Sequence, residues 1–291
     1  MGVAIKVSKS GGTDVYVNGV KQADRRIDFL NMKLPYEFYE GCAVVYDNEI
    51  HILGGGENLS ETNKYHYKWN GSQWVSVSTL PINMYEGSAV VYNNEIHIFD
   101  STNHYKWDGL EWISVSTAPF SIRNACVVVY NNEIHVFGSD SGGDYDKHYK
   151  WDGTAWTSVS TTPYYMRCAS AVVYDNAIHV MGASGTNDNK KHYKWDGTSW
   201  SSVSTLLYPF YDASAVVKDN KIYLLGSHNI ASMLQSKASC WDGSSWTEQD
   251  ELAVGLDEGC AVVYNGDIYY MCGITARRLC LKYGTDAIYT T

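Results

Sequence analysis

The chain repeats a phrase. His-Tyr-Lys-Trp-Asp/Asn-Gly begins at His66, His104, His148 and His192, and each copy is followed by a second Trp five residues after the first. Trp241-Asp242-Gly243 with Trp246 is a worn copy, and all ten Trp of the sequence lie in this phrase. Self-similarity at a spacing of roughly 20–50 residues signals a solenoid, propeller or array. Aligned on itself, the chain gives six units starting near Leu34, Leu80, Ala118, Thr162, Leu206 and Leu252.

Each unit reads as four short strands. An apolar run such as Cys42-Ala43-Val44-Val45-Tyr46 meets an Asp-Asn, Asn-Asn or Asn-Gly pair, which tolerates positive φ and suits a tight hairpin. Glu49-Ile50-His51-Ile52 then alternates with period two, as a half-buried strand does. A loop of uneven length leads to the His-Tyr-Lys-Trp strand, and an Asp-Gly turn leads to a Trp-Val-Ser-Val-Ser-Thr strand. Four-stranded meanders repeated radially make a β-propeller, which leaves only short edges exposed. The expectation is an all-β, six-bladed propeller over residues 26–291 with a short N-terminal extension over 1–25. Either residues 28–33 or Ile288–Thr291 supply the last strand that closes the ring. The extension is either an attachment hairpin or a loose terminus.

The Gly pair after the second strand, the later Tyr and the Trp opening the fourth strand make the repeats resemble the kelch family. The Gly pair survives as Gly54-Gly55 and has worn to Asp100-Ser101, Gly138-Ser139, Gly182-Ala183 and Gly226-Ser227. The resemblance implies a kelch-like propeller.

Composition removes several functions. A formal charge of −10 argues against nucleic acid, whose phosphates want a basic face. No run of 18 apolar residues exists, so membrane insertion is not expected. The first residues lack the apolar run of a secretory signal, so the expectation is synthesis in the cytoplasm without one. Eight of the nine His fall in two repeat registers, with Tyr223 and Tyr269 replacing them in the last two units. That is the behaviour of a hydrogen-bonding filler, and neither a metal nor a cofactor is expected. Cys42, Cys126 and Cys260 share a register with Ser88, Ser170 and Ser214, which asks for a small side chain.

The hairpin turns on one face are nearly uniform, whereas the loops leading into each unit and those between second and third strands vary. Specificity belongs on the variable face, where loops ride on a rigid scaffold. Two residues just ahead of each first strand should ring the channel mouth: Tyr39-Glu40, Tyr85-Glu86, Arg123-Asn124, Arg167-Cys168, Tyr211-Asp212 and Asp257-Glu258. Tyr36, Phe38, Phe120, Tyr164, Tyr165, Tyr208 and Phe210 precede them. Aromatic platforms beside fixed polar groups suit a sugar, and Arg presents a planar fork to a carboxylate. Tyr39, Glu40, Tyr85, Glu86, Arg123, Tyr165, Arg167, Tyr211, Asp212, Asp257 and Glu258 are therefore the candidate ligand-binding residues.

Without a catalytic constellation, the leading expectation is a non-enzymatic binding or scaffold module. Val3 to Gln22 resembles the starts of small phage and prophage tail or baseplate proteins. That resemblance implies a tail-associated module, located in the virion or a tail-like particle. It would contact a cell-surface glycan or receptor, or other tail proteins through residues 1–25. The kelch resemblance implies an alternative, a sialate-type mutarotase using Arg123 and Arg167 with Glu40, Glu86 or Glu258.

Overall fold

The computed structural model describes Tyr16–Val17, Val20–Lys21 and residues 32–56, 64–139, 145–185, 187–228, 234–250, 252, 258–271 and 280–283. These form a six-bladed β-propeller, and no helix occurs among them. Blade one is the meander Gly41–Tyr46, Glu49–Gly54, Tyr65–Trp69 and Trp74–Thr79, paired in that order. Blades two to five repeat it, and blade six contributes three strands among the described residues. The innermost strands are Gly41–Tyr46, Ser88–Tyr92, Cys126–Tyr130, Ser170–Tyr174, Ser214–Lys218 and Cys260–Tyr264. Each packs on the next, and the sixth packs on the first, so the ring is closed.

Local chemistry explains the hairpins. Asp47-Asn48, Asn93-Asn94, Asn131-Asn132, Asp175-Asn176 and Asp219-Asn220 all hold φ between 46° and 60°, the left-handed pair that a two-residue hairpin needs. At the outer turn, Asp152 Oδ1 accepts the N–H groups of Thr154 and Ala155 at 2.7 and 2.8 Å. Asp108, Asp196 and Asp242 repeat that bond pattern. Gly54 (φ 64°) sits where a Cβ would run into the carbonyl of Met84 in the loop leading into blade two. That close approach places the variable loops of successive blades on one face, as the repeat pattern predicts.

Packing between blades is repeated as regularly as the strands. The small register donates across every described seam from blade one to blade six: Cys42 Sγ to Gly87 O, Ser88 Oγ to Ala125 O, Cys126 Sγ to Ala169 O, Ser170 Oγ to Ala213 O and Ser214 Oγ to Gly259 O, at 2.6–3.2 Å. The register therefore wants a donor as well as small size.

The two His registers form pairs. His51 Nδ1 lies 2.8 Å from His66 Nε2, and His66 Nδ1 lies 2.8 Å from Ser78 Oγ, which accepts Trp112 Nε1–H of the next blade at 2.9 Å. His97–His104–Ser116–Trp156, His135–His148–Ser160–Trp200 and His179–His192–Ser204–Trp246 repeat the relay. Indole can only donate, so each Ser oxygen accepts that proton and is left with its own hydroxyl hydrogen to give to the His. Burial holds the second-strand His near pKa 4 and the third-strand His near 3, so all eight are neutral at pH 7.

The expected closing strand over 28–33 reaches the described residues only at Met32 and Lys33; residues 28–31 and Ile288–Thr291 lie outside them. Met32 is buried and packs with Val262, Tyr264 and Met271 of blade six. Its carbonyl accepts Trp74 Nε1–H at 3.3 Å, where the other fourth-strand Trp reach a Ser of the preceding blade. Of the N-terminal extension, Tyr16–Val17 pairs antiparallel with Val20–Lys21.

Candidate functional site at the channel mouth

Six residues, one ahead of each innermost strand, adopt the left-handed conformation: Glu40, Glu86, Asn124, Cys168, Asp212 and Glu258, with φ between 50° and 57°. Their backbones form a belt. The N–H of Glu86 donates to Glu40 O, Asn124 to Glu86 O, Cys168 to Asn124 O, Asp212 to Cys168 O, and Glu40 to Glu258 O, all within 2.9–3.1 Å. The belt pins the side chains around a cavity of about 260 Å³, whose wall also includes Arg167. Four carboxyl groups thus share one small opening with an amide and a thiol.

The electrostatics follow from this crowding. Burial, reinforced by the charges of Glu86 and Asp212, raises Glu40 from its ordinary value to about 7, against the opposing effect of hydrogen bonds to Tyr85 and Glu258. Burial and then Asp212 push the Cys168 thiol upward, outweighing the opposite pull of Arg167, so Cys168 is a protonated, unreactive thiol.

The structure sorts the candidate residues. Glu40, Glu86, Arg167, Asp212 and Glu258 line the cavity, together with Asn124 and Cys168 from blades three and four. Tyr39, Tyr85 and Tyr211 are half-buried beside them, with the Tyr39 and Tyr85 rings edge-to-face at 6.0 Å. Asp257 lies outside the described residues. Arg123 is held elsewhere: its Nε donates to Asp100 Oδ1 at 2.9 Å, while Asp100 Oδ2 accepts the N–H of Tyr85 at 3.1 Å. Asp100 is buried, and it stands where other blades carry the first Gly of the pair, so that worn motif was the signal for it.

The aromatic platforms are mostly core. Phe38, Phe120, Tyr164 and Phe210 are buried, with Tyr164 donating to Gly182 O at 3.0 Å, and Tyr36 donates to Gly54 O at 2.7 Å. They plug the seams between blades because the leading loop turns inward before the belt residue. Tyr165 is 60% exposed and stands against Tyr145, ring centroids 5.4 Å apart.

Asp100→Ala should cost about 2 kcal/mol, chiefly because it leaves the Tyr85 N–H without its buried acceptor, while the Arg123 side chain, 36% exposed, can turn to water. Urea unfolding at pH 7 checks this; a loss below 1 kcal/mol would mean that the pair is solvated.

Fold and mouth together define a six-bladed β-propeller with an acidic, belt-braced channel opening. Among solved structures the chain is similar to YjhT, with a TM-score of 0.71 over 86% of this chain and 94% of that one. At 14% identity the likeness speaks for the fold. No family model matches the sequence, and no curated protein does either.

Proposed function

We propose that the chain is a non-enzymatic binding module of kelch type that takes its ligand at the channel mouth. The belt carries this reading. A left-handed conformation costs a residue with a Cβ roughly 1–2 kcal/mol and costs glycine nothing comparable. Yet the six belt positions hold Glu, Glu, Asn, Cys, Asp and Glu, and four of these bring mutually repelling carboxyl groups into one cavity. Side chains kept against both strain and repulsion are the mark of a site that uses them.

Carboxylates and an amide accept hydrogen bonds from vicinal hydroxyls, which suits a cell-surface glycan, with Tyr165 as the exposed ring nearby in sequence. The N-terminal resemblance extends the reading to a phage or tail-like particle, with residues 1–25 contacting other tail proteins. A glycan-array screen beside an Asp212→Asn, Arg167→Ala variant tests it. Binding weakened at least tenfold in the variant is expected. Binding unchanged in the variant would move the contact off the mouth, and no binding to any glycan would leave a scaffold role.

One observation favours a second reading. A carboxyl near pKa 7 in the same cavity as an exposed Arg167 is poised for acid–base work on a sugar acid, as a mutarotase requires. Anomer exchange of sialic acid followed by NMR decides, and a rate equal to that of buffer eliminates it.

A further inference from the structure

In the loop leading into blade four, Thr162, Tyr164, Met166 and Cys168 are buried, and Tyr165 and Arg167 between them are exposed. The alternation sets Tyr165 and Arg167 on one outward side, with at most about 7 Å between their Cα atoms. Arg167 belongs to the wall of the mouth cavity, and Tyr165 precedes it on the approach. The backbone beneath them is fixed: the Thr162 N–H donates to Asp146 O at 2.7 Å, Tyr164 Oη to Gly182 O at 3.0 Å, the Ser184 N–H to Arg167 O at 2.8 Å and the Cys168 N–H to Asn124 O at 2.9 Å. The two outward side chains therefore meet a ligand without ordering the loop that carries them. The Met166 N–H also crosses the seam to Tyr145 O of blade three at 3.4 Å, as Ile122 reaches Ser101 O one seam earlier and Phe210 reaches Asn189 O one seam later, both at 2.8 Å. These bonds align the outward positions of the three seams as Ser101 with Ser121, Tyr145 with Tyr165, and Asn189 with Pro209. Of the three pairs only the middle one is aromatic, and Tyr165, tilted 45° against Tyr145, remains 60% exposed.

We propose that the Tyr145–Tyr165 pair is a second sugar subsite continuous with the mouth, so that the ligand is an oligosaccharide of two or more units and not a single sugar. A pyranose turns an apolar face of C–H groups to an aromatic π surface and keeps its hydroxyl rim for polar partners. One unit lies on the Tyr165 ring, and the next reaches the Arg167 fork and the Asp212 carboxylate in the cavity. The spacing of Tyr165 and Arg167 is on the scale of one pyranose unit, so neighbouring units of one chain can hold both. This subsite rests on the mouth being the binding site and extends it outward across the seam between blades three and four.

A glycan array carrying each sugar series from mono- to tetrasaccharide is the probe, read with the unsubstituted protein, Tyr165→Ala, Tyr165→Phe and the Asp212→Asn, Arg167→Ala variant. Half-saturation on a disaccharide should come at a concentration about fivefold lower than on the monosaccharide of its series. Tyr165→Ala should erase that gain and leave the monosaccharide signal in place. Tyr165→Phe should keep the gain, because the ring and not the hydroxyl makes the contact. Equal strength on mono- and disaccharide, or a gain that survives in Tyr165→Ala, overturns the subsite and leaves the mouth as the binding site. A gain lost in Tyr165→Ala beside binding unchanged in the Asp212→Asn, Arg167→Ala variant overturns the mouth, and with it the joint site. Silence across the whole array overturns both.

Discussion

Between pH 6.5 and pH 4 the propeller is expected to lose stability steeply and to unfold near pH 5. Eight His are buried as neutral rings with folded pKa values of about 3 and about 4, below the ordinary 6.5. For a base with a depressed pKa, the unfolded chain binds the proton first. Stability is therefore complete above 6.5 and falls as pH drops towards the folded value. At pH 5.5 each His costs on the order of 1 kcal/mol, and eight together rival the roughly 5–15 kcal/mol that holds a typical domain. The surface carboxylates act later: Asp152, Asp196 and Asp242, held near 2 by bonds from their own turns, lose their contribution only as pH falls from 3.8 towards 2. Glu40 works in the opposite direction and is a single group. Urea unfolding against pH checks the expectation through its slope. At pH 6, where the ring is still folded, the slope should correspond to about six protons taken up on unfolding. A slope of two protons or fewer would mean that the relays admit water and titrate normally.

Why this was only half legible in the sequence is a matter of which contacts are local. The hairpins were legible because Asp-Asn and Asp-Gly turns and alternating strands are short-range patterns, and six copies of them restrict the fold to a ring. The His registers read as structural because Tyr223 and Tyr269 stand in for two of them. Their partners did not show: Ser78 and Trp112 belong to different blades, and nothing in either repeat reveals that one blade's indole answers its neighbour's hydroxyl.

The mouth followed the same division. Its positions could be counted off from the first strands, but the direction of each side chain depends on a left-handed φ that the residue types Glu and Cys do not advertise. So Arg123 read as a ligand contact, whereas a buried Asp100 in the neighbouring blade holds it. The leading-loop aromatics read as platforms, although Phe38 and Phe210 are fully buried. Those outcomes are fixed by packing across a seam, between residues some tens of positions apart.

Blade five indicates how a relay can be dispensed with, and this leads to the second large effect. There Tyr223 and Ala238 occupy the two His registers, opposite Val216 and Leu225 in the ladder. The Tyr223 ring is half-buried beside Tyr283, ring centroids 6.4 Å apart, and the seam still packs, with Ala238 and Tyr270 fully buried. In blade two, His104→Ala alone should cost about 3–4 kcal/mol. It removes a fully buried ring that stacks on Phe99 at 4.4 Å and lies edge-on to Trp151, and it orphans His97 Nδ1. Adding His97→Tyr should recover at least 2 kcal/mol of that loss by restoring volume and removing the orphaned nitrogen. Such coupling is what residues in direct contact show and distant ones do not. The double variant should also take up about 1.5 fewer protons on unfolding at pH 6, because both titrating rings of that seam are gone. A double-mutant cycle in urea at pH 7, repeated at pH 6, reads both quantities. Additive losses at pH 7 would show that the two registers do not share one space, and an unchanged proton count would remove this relay from the acid response.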